Sequence, residues 1–494
     1  MQTHLGGPTR TNFAYLIAAG ALLLELGVAG RYGFHRDELY FIACAKHLAL
    51  GYVDQPVFTP LIAGAGNALF HGSLVGFRLI PAISFAALVI VTARLARLLG
   101  ADRLGQAMAA LCAALCGEYI AAAHLVSPTP FDQLAWVVIA WLTVRMLGSG
   151  NRRHWLLIGL VTGIALENKW NVIFFIGSLG LGLLLSPQRR FLRSWWFVGG
   201  AAIAMALWLP DLIWQAQNGW PQLQIFHALQ SDAAHNREVY IPAQIIYVGP
   251  VLTPIWLVGG WRLARSADAE PFRFLAWACG LPLLMIFILG GKPYYPGPAF
   301  AILFAASAVP LSRFLRAGGH LRPAAVVVVL VVAGAIEAPL AVPVLPAQTL
   351  AHVQLQKINY DLAETIGWRK QVAQIAAIYH SIPTDQRAKT VILTGNYGEA
   401  GAVDQYGPNY GLPQAYSGQN NFWLWGPPPG TSDWVIAVNV DPALLGRYFR
   451  RVTPAGIFNN GIGVSDDEQG VPIFLCSGQK GNWAGIWSAF RHYD

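Results

Sequence analysis

Three lysines stand in the hydrophobic part of this chain, and each has acidic or aromatic company. Lys46 closes HRDELYFIACAK, which holds the acidic pair Asp37 and Glu38; Lys169 follows Glu167 in ALENKWN; Lys292 opens KPYYPG, with Tyr294 and Tyr295 just behind it. Asp54 lies in GYVDQP, Asp132 in SPTPFDQLAW and Asp211 in LPDLIWQ. A lysine ammonium is a compact point charge suited to a phosphate. Two or three neighbouring carboxylates supply a general base or a divalent cation site, and the residue types leave that choice open. Each position also has an ordinary structural use. Asp37 and Glu38 suit a solvated loop, Asp54 a turn, Asp132 the first turn of a helix, Lys169 an ion pair with Glu167, and Lys292 a snorkelling anchor.

The elements that carry these residues decide between the readings. Of 494 residues, 55% are hydrophobic and 12% charged, against about 25% charged in soluble domains. The chain is therefore a polytopic membrane protein. Apolar stretches fall at 13–30, 79–99, 107–124, 131–148, 155–168, 170–186, 195–212, 242–261, 274–290, 297–312 and 323–342. By length these predict about eleven crossings, with 155–168 and 170–186 meeting at Glu167, Asn168 and Lys169.

Arginines gather in alternate connections: Arg94, Arg97, Arg103; Arg145, Arg152, Arg153; Arg189, Arg190, Arg193; Arg262, Arg265, Arg273; Arg313, Arg316, Arg322. The positive-inside rule puts these in the cytoplasm, together with the N-terminus. Residues 31–78, 125–130, 213–241, 291–296 and the tail then face outward. All three lysines land outside, against the statistical bias, and the acidic residues gather on the same face. A charge within the bilayer costs roughly 2.5 to 3.5 kcal/mol, so this gathering points to an active site on the outer face.

Residues 1–345 hold 23 Lys and Arg against 14 Asp and Glu, whereas 346–494 hold 10 against 11. The basic excess thus belongs to membrane loops, where it orients the protein, and does not indicate nucleic acid. The run 13–30 reads as a retained anchor, since Arg10 is the single positive residue before it. Cys44, Cys112, Cys116, Cys279 and Cys476 have no metal-ligand spacing and read as small buried thiols. Glu118 and His124 read as local hydrogen-bonding groups. Gly-rich phosphate loops, GxSxG and HExxH are absent from the sequence, and no repeat period is visible.

Residues 346–494 read as a small extracytoplasmic α/β domain after the proline-rich linker APLAVPVLPAQ. KTVILTG (389–395) and DWVIAVNV (433–440) predict buried strands, with helical stretches around 361–380 and 442–450. The aromatic NNFWLWGPPPG (420–430) reads as a packed cluster.

In order along the chain, HRDELYFIACAKHLALGYVDQPVFTPLIA (35–63), GFRLIPAI (76–83), SPTPFDQLAW (127–136), ALENKWNVIFF (165–175), LPDLIWQAQNGWP (209–221) and GKPYYPGPAFA (291–301) resemble glycosyltransferase family 39. This is the protein O-mannosyltransferase-like branch of the GT-C membrane glycosyltransferases, and it resembles the aminoarabinose transferases of lipid A as well. The resemblance implies a GT-C fold in the bacterial inner membrane and a polyprenyl-phosphate sugar donor. It further implies an inverting transfer of a hexose or pentose to a lipid, glycan or protein acceptor outside.

Residue by residue, Asp37 matches the carboxylate that acts on the acceptor, with Glu38 beside it. Asp54 falls where the family has an Asp-His-Pro-Pro run, and Asp132 matches the acid of its Pro-Asp element. Lys169 matches a family lysine, and Lys292, Tyr294 and Tyr295 occupy the loop expected near the lipid phosphate. This chain departs from the pattern at Gln55, at Val57 and at Phe131, which separates Pro130 from Asp132. Two other classes share the polytopic composition. A transporter or flippase of lipid-linked sugars calls for midplane charges and broken helices in paired repeats, and a receptor-like scaffold leaves the acidic pair and the lysines without a task.

Overall fold

The computed structural model describes residues 12–319 and 321–493; Arg10 and the segment before Asn12 lie outside the described residues. The hydrophobic part runs α1 (Asn12–Val28), α2 (Arg36–Lys46), α3 (Phe58–Leu69), α4 (Leu74–Leu98), α5 (Arg103–Ala114), α6 (Gly117–Ala123), α7 (Pro128–Ser149), α8 (His154–Leu166), α9 (Val172–Leu184), α10 (Trp195–Gln217), α11 (Pro221–Ala228), α12 (Ala233–Ile246), α13 (Thr253–Arg265), α14 (Phe274–Leu289), α15 (Ala299–Arg316) and α16 (Leu321–Ala341).

Every apolar stretch read from the sequence carries a helix, but two are not the continuous spans expected. The 107–124 stretch breaks between α5 and α6, which differ in direction by 59°. The 242–261 stretch breaks after α12, where Gly249 takes a left-handed φ of 108° ahead of Pro250, and helix resumes at Thr253 with Pro254 in its first turn. Both halves of each stretch are apolar, so a hydropathy window passes over the break. Among the described residues five helices are long and apolar enough to cross a membrane, six if α5 and α6 make one bent span, and α1, α8, α9 and α14 are shorter apolar helices.

Broken helix in hydrocarbon needs its freed backbone groups satisfied by protein. Here each break serves the other: the Glu118 N–H, released at the start of α6, donates to the Tyr247 carbonyl at the end of α12, at 2.6 Å. Elsewhere the helices approach through small residues. A methyl group added at Gly159 of α8 would strike Gly200 of α10, one at Gly182 of α9 would strike Phe274 of α14, and one at Gly259 of α13 would strike Leu303 of α15. Such contacts let backbones close on each other where lipid gives no hydrophobic drive.

After α17 (Ala347–Val353) the tail folds as α18 (Trp368–Ser381), β1 (Thr390–Thr394), α19 (Tyr397–Tyr406), β2 (Ala415–Ser417), α20 (Asn420–Leu424), β3 (Trp434–Val438), α21 (Pro442–Tyr448), β4 (Phe449–Ile457), β5 (Pro472–Gln479) and α22 (Trp483–Ile486). The five strands form one mixed sheet in the order β2-β1-β3-β5-β4. β2 and β3 lie parallel to β1, while β5 runs antiparallel to both β3 and β4. One sheet face packs on Trp483, Trp487 and Phe490. The other, through Ile392 and Ile436, shares a core with Trp368 of α18, Ala400 of α19 and, from the membrane part, Phe34, Leu39 and Phe77.

The shared core explains α2. Residues Glu38 to Cys44 are all buried, so the middle of the helix has no solvent face, as expected where neighbours cover both sides. The seat is close, since a methyl group at Gly401 of α19 would come within 3.0 Å of Leu39.

Candidate active site

The start of α2 is fixed before any chemistry is considered. His35 caps it, with Nδ1 accepting from the Asp37 N–H at 3.1 Å, and Glu38 Oε2 reaches back to the His35 N–H at 2.8 Å. Glu38 is 0% exposed and Arg78 of α4 is 1% exposed. Arg78 places Nε 3.1 Å from Glu38 Oε1 and Nη2 2.8 Å from Oε2. Its other donors reach the carbonyls of Ala29 and Gly33 and the His124 ring. Glu38 Oε1 also accepts the Val126 N–H at 3.0 Å. Both Glu38 oxygens are therefore engaged in holding α2, and the geometry gives this residue a structural task where the sequence suggested chemistry.

Asp37 differs from its neighbour. Its side chain is 38% exposed. Oδ1 accepts a hydrogen bond from the Tyr397 hydroxyl at 2.9 Å, and Oδ2 accepts none among the described residues. The Tyr397 ring lies 4.6 Å from that of Tyr40, and the Tyr40 hydroxyl donates to Asp54 Oδ1 at 2.9 Å. Two tyrosines in contact thus link the two carboxylates. Asn421 of the tail completes this side, its Oδ1 lying 3.0 Å from the Tyr40 hydroxyl oxygen and accepting from the Val53 N–H at 2.7 Å.

A second cluster comes from α7, the α8–α9 corner and the α14–α15 loop. Asp132, 1% exposed, accepts from Trp136 Nε1 at 2.9 Å and Asn171 Nδ2 at 3.0 Å. The same Asn171 nitrogen donates to the Tyr295 carbonyl at 2.8 Å. Lys169 sits over both loop tyrosines, 4.6 Å from the ring centre of Tyr295 and 5.1 Å from that of Tyr294. The residue is half-buried and its charge faces the aromatic wall.

The loop itself is tied down by Gln244, which donates to the Pro293 carbonyl at 2.7 Å, and by Asn236, which donates to Gly290 at 2.9 Å. Lys292 at its tip is exposed, and its charge acts on Asp361 of the tail. Tyr294 lies within electrostatic reach of both clusters. Desolvation, then Tyr295 and the carboxylates of Asp361, Asp37 and Glu118, push its hydroxyl well above the usual phenol range, so it stays a hydrogen-bond donor.

Three residues singled out in the sequence lie apart from this. Glu167 and Asp211 face each other under the 51–57 loop, where Trp170 Nε1 donates to Asp211 Oδ2 at 2.8 Å and the Phe58 N–H to the Glu167 carbonyl at 2.9 Å. Lys46 reaches toward the Asp404 carbonyl of the tail at 3.5 Å. All five cysteines are free and buried. Among the described residues no three His, Cys, Asp or Glu side chains meet as a metal-ligand set.

Sequence reasoning missed Tyr397, Asn421, Asp361, Asn171 and Arg78. The last had a signal, a lone arginine inside the apolar run GFRLIPAI, which must be paired if buried.

Residues 54–214 match the dolichyl-phosphate-mannose-protein mannosyltransferase family. Over 281 residues the chain is 26% identical to the lipid A galacturonosyltransferase RgtD of Rhizobium johnstonii, and the match takes in 52% of this chain and 55% of that one. The chain thus spans about half the length of this curated relative. Its fold resembles that of ArnT from Cupriavidus metallidurans bound to undecaprenyl phosphate, with a TM-score of 0.56 at 15% identity over 94% of this chain and 98% of that one. It also resembles the arabinofuranosyltransferase AftD from Mycobacteria, with a TM-score of 0.54 at 15% identity over 95% of this chain and 40% of that one. The resemblance read from the sequence thus meets a family model over residues 54–214 and a shared fold over most of the chain.

Proposed function

We propose that this protein transfers a sugar from a polyprenyl-phosphate donor to an acceptor at the outer face of the bacterial inner membrane. About eleven crossings, a cytoplasmic N-terminus and an outward tail domain belong to the same reading. The observation that carries it is the packing of Lys169 on Tyr294 and Tyr295, tied through Asn171 to Asp132, with the Asp37 carboxylate within electrostatic reach of Tyr294. One cluster has the cation and donors an anionic leaving group needs, and the other has a carboxylate with a free oxygen.

In this reading the acceptor O–H breaks, its proton passes to Asp37 Oδ2, and the acceptor oxygen bonds to the anomeric carbon. The bond from that carbon to the phosphate oxygen breaks in the same step, its electron pair leaving on the phosphate. Lys169 and Lys292, with the hydroxyls of Tyr294 and Tyr295, stabilise the charge that builds there. A glycosyl phosphate is already activated, so no nucleotide site is required, and in-line attack inverts the anomeric carbon. A divalent cation beside the carboxylates would supplement the lysines. Asp54 and Asp132 bind and orient the substrates.

Support comes from the relatives: one acts on lipid A by its name, and another was solved with undecaprenyl phosphate. Purified protein incubated with radiolabelled polyprenyl-phosphate hexoses and pentoses, and with envelope lipids, glycans and proteins as acceptors, tests the reading. Label should move to one acceptor class. Movement of intact donor across vesicles without any cleavage would overturn it in favour of a flippase.

A further inference from the structure

The C-terminal domain does more than cover the membrane part, because it brings a side chain into direct contact with the carboxylate assigned to the acceptor. We propose that Tyr397, supplied by this domain, is a positioning residue for Asp37: its hydroxyl holds one carboxylate oxygen and leaves the other oxygen turned to the acceptor. This rests on the transfer reading given above.

The direction of the hydrogen bond is fixed by chemistry. An ionised carboxylate only accepts, so the phenol donates, at 2.9 Å. Desolvation first, and then the Asp37 charge, push the Tyr397 hydroxyl well above the usual phenol range, so it carries its proton at any working pH. A hydrogen bond to the charged form of a carboxylate favours that form.

The tyrosine is also held still. Its N–H donates to Gln419 Oε1 at 2.7 Å. Asn396 and Glu399 cap the start of α19 reciprocally, at 2.9 and 3.1 Å. The ring contacts Tyr40 on one side, and the Arg36 guanidinium lies 5.7 Å from its centre. α19 comes this near to α2 because Gly398 has no side chain; a methyl group there would stand 2.7 Å from Arg36 Cβ. A phenylalanine at 397 would keep all of this packing and lose the hydroxyl alone.

Two measurements on the full-length protein test the proposal. One is kcat and the donor KM for transfer from a radiolabelled polyprenyl-phosphate sugar, in the wild type, Tyr397→Phe, Asp37→Asn and the double variant. The other is the infrared carboxylate stretch of Asp37 at a single pH, in the wild type and in Tyr397→Phe, with Asp37→Asn subtracted as the baseline. In Tyr397→Phe kcat should fall about tenfold, the size expected for losing a charge-assisted hydrogen bond, the donor KM should stay unchanged, the stretch should change frequency, and the double variant should be no slower than Asp37→Asn. A purely structural role for Tyr397 would slow Asp37→Asn further and leave the stretch in place, and either result would overturn the proposal. Should the wild type transfer no sugar, the transfer reading fails, and the infrared stretch still decides whether Tyr397 holds Asp37.

Discussion

The Arg78 guanidinium closes on the Glu38 carboxylate at 2.8 and 3.1 Å, and neither side chain meets solvent. Removing one partner of a buried pair leaves the other charge without compensation, at about 3 to 5 kcal/mol. Arg78→Met should therefore lower the thermal midpoint of the purified protein sharply, and Glu38→Gln, which keeps the shape, should lower it less. Because the pair holds the turn before α2, both variants should lose transfer in proportion to folded protein. A stable Arg78→Met protein would show that the pair is dispensable.

Asp37 has one oxygen free and one held, as a base requires. Asp37→Asn keeps the size and removes the basicity, so transfer should fall by roughly 10² to 10⁴ while the donor still binds. Near-normal turnover would move the role to Asp54 or Asp132.

Lys292 is exposed at the tip of a loop anchored at Gly290 and Pro293. Its contribution is expected to come from charge. Lys292→Met should weaken donor binding, and Lys292→Arg should retain part of it, since the planar fork is an imperfect substitute for an ammonium. Unchanged donor binding in Lys292→Met would make the lysine an anchor.

His35 and Asp361 join α2 to the tail, with Nε2 and Oδ1 3.7 Å apart. Desolvation opposes the charge of His35, but Asp361, Asp37 and Glu364 outweigh it and raise its pKa. Desolvation likewise opposes the charge of Asp361, but His35, Lys292 and Arg36 outweigh it and lower its pKa. The histidine's contribution is thus complete below the ordinary value of about 6.5 and fades as pH rises through its raised value. The aspartate's contribution is present above about 3.9 and is lost as pH falls through its lowered value. Hydrogen exchange around residues 355–366 should be slowest in the mildly acidic window between those limits, and Asp361→Asn should flatten the dependence.

Orientation is checked with reporters. A cytoplasm-active reporter fused after Asp494 should be silent and one fused in the 145–153 connection active. Activity at the C-terminus would put the lysines on the wrong side for the proposed chemistry.

Local chemistry made much of the site legible. Asp37, Asp132, Lys169 and the Lys292 loop stood out because charge at the end of an apolar run needs a reason, and the strands at 390–394 and 434–438 showed as short apolar runs between turns. Tyr397 did not stand out, since NYGEAG is an ordinary helix start and only the packing of α19 on α2 gives its hydroxyl a partner 360 positions away. Glu38 misled for a related reason: its sequence neighbour is the exposed Asp37, and only the fold brings Arg78 beneath it. The helix breaks near Cys116 and Gly249 escaped because both flanks are as apolar as a span.

Those breaks constrain how the chain can be altered. The peptide N–H of Glu118 and the carbonyl of Tyr247 are each other's partner across about 130 positions of sequence, so repairing either helix alone would strand a polar group in hydrocarbon. A chimera that takes one of these segments from a relative with an unbroken helix should fail to accumulate. One that exchanges both together keeps the pair intact and should insert.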